Sequence, residues 1–355
     1  MRCFHTCTLI VFLCVTGFGQ RSSPVLIRDV RVFDGKRVIE HRSVVIRDGK
    51  IGQLADTKLS MPEAEVINGQ GRTLLPGLFD AHVHVAEDTT GSLRQTVSLG
   101  VTTVFDMCNA GERLKRMKRM QAEDSPNVAS LRTAGGCATV PGGHGTEMGG
   151  PRLPTITKPE QAQAFVDARI AEGSDYIKII YDDNTQFGQS QRMPTLDKAT
   201  LRALVDAAHK RNKLAVAHIL SEQQARDAID AGVDGLVHLF VGDTARSDFG
   251  QFAASHHIFV IPTLTTLKMV CGKSVGRSLL TDPHLRPYID NEWRQRLPVP
   301  VDPSRNHFCQ ATDDAIRQLI AAQVPILTGT DSARCRVTHM VHRYTQNWHC
   351  SFRRD

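Results

Sequence analysis

The sequence predicts an α/β protein: a (β/α)8 TIM barrel led in by a small β domain. Three observations predict it. Beyond residue 75, short apolar strands alternate with amphipathic helical patterns. Eight such strands can be placed, which favours a closed barrel over an open sheet. No glycine-rich phosphate fingerprint follows the first strand, which argues against a doubly wound dinucleotide-binding sheet. With 355 residues, 41% hydrophobic and 23% charged, the chain can bury one large core and a smaller one.

Residues 1–19 read as a secretory signal peptide. Arg2 supplies the positive end, Leu9 to Val15 the apolar segment, and Gly17-Phe18-Gly19 the small-residue cleavage region before Gln20. The apolar segment is too short to span a bilayer. An exported protein, periplasmic or secreted, is therefore expected, with no membrane association after cleavage.

Residues 20–75 form the small β domain. Val25-Leu26-Ile27, Val30–Phe33 and Val44-Val45-Ile46 are strand-like, and Asp34-Gly35 and Asp48-Gly49 are hairpin turn signals. Residues 76–332 form the barrel. Its strands are expected at Leu78–Val85, Thr102–Met107, Ser130–Ala134, Tyr176–Ile180, Leu214–Ile219, Gly235–Phe240, Phe259–Leu264 and Pro325–Thr330. Helical stripes lie between most of them, as in Leu201-Leu204-Val205-Ala208 within Leu196–Asn212, and Ala225-Ala228-Ile229 before Gly232. Two connections exceed minimal loops, Gly135–Thr157 and Thr265–Phe308. On this side of a barrel, long loops shape or cover the active site.

The net charge of +6 is concentrated in residues 334–355, which carry five arginines against Asp355. The body is close to neutral, so neither nucleic acid nor a membrane surface is expected as a partner. Of nine cysteines, Cys3, Cys7 and Cys14 fall in the signal, Cys108, Cys137, Cys271 and Cys309 in the body, and Cys335 and Cys350 in the tail. There is no Cys-x-x-Cys pair, and a domain of this size does not need staples, so cysteine chemistry is not expected to matter.

Barrel active sites lie where the strands end. There the sequence places His82 and His84, then Lys178, His218, His238 and Asp331. On a strand, His82 and His84 point the same way. Singly, each has a plain explanation: a packed strand histidine, a helix cap at Asp331, or Lys178 pairing with Asp182. Jointly, six such residues at five strand ends are the donor set of Zn²⁺-type ions.

These motifs resemble the amidohydrolase superfamily. The matching segments are Leu75-Pro76-Gly77-Leu78-Phe79-Asp80-Ala81-His82-Val83-His84, Tyr176-Ile177-Lys178-Ile179, His218, Gly232 to His238, and Gly329-Thr330-Asp331. The resemblance implies two divalent ions, most often Zn²⁺, bridged by a carbamylated Lys178. It assigns His82, His84 and Asp331 to one ion, and His218 and His238 to the other. The small domain would then be of β-sandwich type and composite, with its C-terminal half, which the family supplies after the barrel, missing here. A hydroxide shared by ions roughly 3.5–4 Å apart would attack a polarised carbonyl, with Asp331 passing its proton to the leaving nitrogen. The implied reaction is hydrolysis of a C–N bond in a small molecule such as a dipeptide, an N-acyl amino acid or a cyclic amide. The same centre also suits a phosphotriesterase or lactonase, and a non-catalytic product is the third reading. A homo-oligomer is compatible with the sequence.

Within the superfamily, Ala134-Gly135-Gly136, Pro141-Gly142-Gly143-His144-Gly145 and Val260-Ile261-Pro262-Thr263-Leu264 look like the prolidase and imidazolonepropionase branch. His144 either hydrogen-bonds a substrate carbonyl or carboxylate, or is a solvated loop histidine. The segment His218-Ile219-Leu220-Ser221 lacks the tyrosine that relatives binding a dipeptide carboxylate often carry, which counts against carboxypeptidase-like specificity.

Residues 333–355 do not continue the family pattern. Joining the third base of each codon to the first two of the next forces a different peptide. Met340–Val341 gives Gly, Asn347–Trp348 Leu, Trp348–His349 Ala and His349–Cys350 Leu. With the flanking codons this reads (His/Tyr)-Gly-x-x-aliphatic-(His/Tyr)-x-(Glu/Lys)-Leu-Ala-Leu, the family's missing helix. A shift of reading frame between Asp331 and His339 is expected.

Overall fold

The computed structural model describes residues 23–333 except 124, 126, 149–151, 189, 191, 274–279, 290, 292–293 and 295–302. The signal reading of residues 1–19 and the tail 334–355 lie outside the described residues. The chain divides into two compact units, Met1–Pro76 and Gly77–Asp355.

The first unit is one sheet of β1 (Val25–Phe33), β2 (Val38–Arg47), β3 (Lys50–Ala55), β4 (Glu65–Asn68) and β5 (Thr73–Leu74). Its order is β3-β2-β1-β4, with β5 also on β1. The expected hairpins are present: β1–β2 and β2–β3 are antiparallel. Asp48 and Gly49 take φ of 50° and 71°, as a two-residue turn that follows strand twist requires. Parallel pairing of β1 with β4 and β5 was not legible in the sequence. Leu26, Val45 and Met61 form one apolar cluster, and Val30, Val32 and Val44 another.

The second unit carries eight strand positions, all pairing in parallel. β6 (Leu78–His84), β7 (Val101–Asp106) and β8 (Ser130–Thr133) form a sheet with β13 (Ser332–Ala333), and β9 (Ile177–Ile180), β10 (Ala215–His218), β11 (Gly235–Val237) and β12 (Phe259–Ile261) form another. Two joints close them into a ring. Ala138 bridges Ile179 at one, and at the other Ile326 bridges Val260. The stretch 325–331 reaches both neighbours: Val260 N donates to Pro325 O, Ala81 N to Thr328 O, and Asp331 N to His82 O. The eighth strand is thus mostly irregular, with regular pairing only at Ser332–Ala333.

Helices α1 (Thr89–Ser98), α2 (Gly111–Glu123), α3 (Ala162–Ala171), α4 (Lys198–Lys210), α5 (Glu222–Asp230), α6 (Phe249–Ser255), α7 (Leu264–Val270) and α8 (Gln310–Ala321) lie between the strands in sequence. Asp197 caps α4 by accepting from Thr200 N, and Ser221 with Gln224 forms a capping box on α5. Ala81, Met107, Ala134, Tyr176, Val216, Val237 and Ile261 fill the barrel interior. Residues of opposite phase, such as Ile177, Ile179, Ala215, Ala217 and Leu236, pack with helix residues in the larger core.

Two expectations are corrected. The seventh strand ends at Ile261, and Leu264 already begins α7. Cysteine chemistry does matter: Cys108–Cys137 and Cys271–Cys309 are disulfides. Their partners are 29 and 38 residues apart, so no short motif announces them. The fold brings together the segments after β7 and β8, and the end of α7 with the segment before α8.

Candidate metal centre

The site is assembled at the C-terminal strand ends. In β6, a bulge between Asp80 and Val83 sets one extra residue against β7. Ala81 therefore packs in the barrel interior and Val83 against the helices. His82 and His84 project together, their Nε2 atoms 3.3 Å apart.

Asp331 is brought to them by the eighth strand. A Cβ on Gly329 would lie 2.4 Å from Ile261 Cγ2 and 2.9 Å from His82 Cβ, so glycine alone permits this approach. Asp80 then ties the strands: Thr330 donates to it from N (3.0 Å) and Oγ1 (2.6 Å), and His82 from N (3.1 Å). Asp331 Oδ1 ends 3.2 Å from His82 Nε2 and 3.3 Å from His84 Nε2. The three atoms form a nearly equilateral triangle. Ligands about 2.1 Å from a tetrahedral ion are spaced by roughly 3.4 Å, so this triangle fits one.

His238 follows β11. Strand alternation would turn it away from Val237 and out of the barrel, but its φ of 71° turns it back. Its ring lies 4.8 Å from that of His82 and 4.5 Å from that of His218, and Nδ1 pairs with Thr263 Oγ1 at 2.5 Å. One ligand atom each from His82, His238 and Asp331 falls within a 4.8 Å group. His218 ends β10 in the same phase as the interior residue Val216. Lys178 on β9 is 3% exposed, between outward-packed Ile177 and Ile179. Among the described residues it makes no ion pair, so the expected alternative of a Lys178–Asp182 pair is not found.

A second group, His144, Asp182 and His218, also places one ligand atom each within 4.8 Å. His144 is 4% exposed and pairs through Nδ1 with Glu147 Oε1 at 2.7 Å, so it is not a solvated loop histidine. Its ring lies 4.8 Å from that of His218. Asp182 and Glu147 are the functional candidates that the sequence reading missed. Neither sits at a strand position, and their only signal was nearness in sequence to Lys178 and His144.

Burial sets the charges. It pushes His82 down to about 3, His218 to about 4, and His238 well below the usual histidine range. All three imidazoles are neutral at pH 7, as metal ligation requires. Burial likewise lowers Lys178 to about 7, making its neutral amine accessible. For Asp331, burial acts upward, but its contacts with His82 and His84 outweigh it and hold the carboxyl well below the usual carboxylate range. Burial also opposes the charge on His144, yet Glu147 overcomes it and raises that imidazole.

A (β/α)8 barrel with imidazoles and a carboxylate converging at its strand ends is a donor set of the kind that divalent ions bind. The amidohydrolase family matches residues 73–349, and the chain belongs to that family. Dihydroorotase from Streptomyces coelicolor is 39% identical over 95 residues, which are 24% of this chain and 21% of that enzyme. The chain thus spans about a fifth of that relative's length. A Xaa-Pro dipeptidase with bound methionine in its active site matches with a TM-score of 0.67 at 21% identity, over 91% of this chain and 83% of that one. The A. niger ochratoxinase matches with a TM-score of 0.62 at 16% identity, over 88% of this chain and 76% of that one. These two likenesses are of fold.

Proposed function

We propose that the protein is a metal-dependent amidohydrolase cleaving a C–N bond of a small amide: a dipeptide, an N-acyl amino acid or a cyclic amide. The observation that carries this reading is the 3.2–3.3 Å triangle of His82, His84 and Asp331. His82, His84 and Asp331 would hold one ion, and His218 and His238 the other, with Lys178 between them. When bound, the ions would supply an acidified water and polarise the substrate carbonyl. Lys178 is suited to carbamylation: its neutral amine adds to CO₂, an N–C bond forms, and one proton leaves. Asp331, held ionised, accepts the proton of the attacking water and delivers it to the departing nitrogen. His144, held by Glu147 and beside His218, is placed to hydrogen-bond the substrate carbonyl or carboxylate. The names of the relatives, a dihydroorotase and a Xaa-Pro dipeptidase, lie within this substrate range.

A panel of dipeptides, N-acyl amino acids and cyclic amides, set beside phosphotriesters and lactones, tests the reading. Turnover of an amide is expected. Turnover of esters alone would replace it with the esterase reading.

Export fits the two disulfides, which persist in oxidising compartments. A shifted frame after Asp331 is proposed with it. In support, Leu78 and Phe79 on β6, and Ile326 and Leu327 on the eighth strand, are 37–57% exposed, apolar surface that the helix in the alternative frame would cover. The family match reaches residue 349, so the coding DNA decides between a divergent tail and a shifted one. Absence of a small insertion or deletion that reopens the frame would end the proposal.

A further inference from the structure

The ligand set implied by the family leaves Asp182 without a role. We propose that Asp182 is a cation ligand of the second pocket, beside His218 and His144. This rests on the metal-dependent reading above.

The carboxylate is fully buried, and one of its oxygens is fixed. Asn184 N donates to Oδ1 at 3.0 Å, and Gln186 Nε2 approaches the same atom at 3.4 Å. The other oxygen, Oδ2, is held 3.5 Å from His218 Nε2. Neither of these two atoms makes a hydrogen bond among the described residues. Two buried polar atoms facing each other unbonded is a costly arrangement that native structures avoid. A cation between them satisfies both at once: the neutral imidazole offers a lone pair and the carboxylate a charge. His144, in neutral form with Glu147 on its Nδ1, brings a third ligand atom within 4.8 Å of the other two, in place of the substrate contact suggested above. Glu147 grips His144 Nδ1 at 2.7 Å, as outer carboxylates orient metal-bound imidazoles. Asn184, at φ 60°, turns the chain so that its own N–H reaches back to Asp182. The pocket is thus built around the free oxygen.

The test is Zn²⁺ uptake by the purified, metal-stripped 355-residue chain, measured by elemental analysis and calorimetric titration. The unaltered protein should bind two ions. Asp182→Asn should keep one at unchanged affinity and bind the other at least ~10-fold more weakly, the smallest effect of losing even an outer partner. His84→Asn, in the opposite pocket, should spare the Asp182-dependent ion. Two ions at unchanged affinity in Asp182→Asn would overturn the role of Asp182 alone. No uptake by the unaltered protein would instead overturn the metal-dependent reading. A zinc-edge anomalous map of the unaltered protein decides even if Asp182→Asn fails to fold. An Asp182 oxygen within about 2.3 Å of a zinc peak supports ligation, and one beyond 3 Å refutes it.

Discussion

The two pockets are built differently. The His82–His84–Asp331 pocket takes all its side chains from strand ends, and its three ligand atoms are already 3.2–3.3 Å apart. The His144–Asp182–His218 pocket draws two of its three from loops, and its atoms are held only within 4.8 Å. The first is fixed by backbone pairing and by Asp80, which clamps Thr330 and the His82 backbone. The second is fixed by side chains, with Glu147 on His144 and Asn184 on Asp182. Strand-borne ligands make a rigid site, and loop-borne ligands make one that substitution can retune.

That contrast can be broken or sharpened by measurement. The largest effect is expected at the rigid pocket. Asp331→Asn removes the residue proposed as both proton carrier and ligand, so kcat should fall by at least ~10³-fold. Retention of a tenth of the activity would remove Asp331 from the chemistry. At the loop-borne pocket, Glu147→Gln should cost roughly 10–100-fold while leaving the other ion in place. An equal loss of both ions would mean that the pockets are not independent.

Effects on stability come next. Replacing Cys271 and Cys309 with serine should destabilise the protein by about 2–4 kcal/mol in denaturant melts, because the bridge closes a long loop. Gly329→Ala should cost about 1–3 kcal/mol and loosen the first ion more than the second, since the new methyl meets Ile261 and His82. The smallest effect concerns pH. Burial holds His82 near 3 and His218 near 4, below the unfolded value of about 6.5. Between these values the unfolded chain binds more protons than the folded one. The stability that these two buried imidazoles contribute to the metal-free protein is therefore fully present above about pH 6.5 and lost as pH falls toward 4. A melting temperature unchanged between pH 7 and 5 would contradict the neutral, buried imidazoles.

The same contrast explains what the sequence revealed. Period-two alternation made His82 and His84 legible as a pair, and the β6 bulge that re-aims them did not disturb their spacing. Lys178, second residue of β9, and His218, last residue of β10, were legible from the same alternation. His238 was placed correctly although alternation points it outward, because the φ of 71° that turns it back leaves no mark on the hydrophobic pattern. Asp182 and Glu147 lie in connections whose shape no periodicity encodes. The disulfides were missed because cysteines 29 and 38 residues apart meet only once the strand-end loops and the α7–α8 connection have folded. The eighth strand was expected at Pro325–Thr330, but that stretch is irregular and regular pairing comes only at Ser332–Ala333, after Gly329-Thr330-Asp331; its contacts with Val260 and Ala81 are a tertiary fact.

The most direct test is amide hydrolysis before and after metal removal. Stripped with a chelator, the protein should lose turnover of its dipeptide, acyl-amino-acid or cyclic-amide substrate, and Zn²⁺ with bicarbonate should restore it. Amide turnover that survives complete stripping would contradict a hydrolytic centre built on His82, His84 and Asp331.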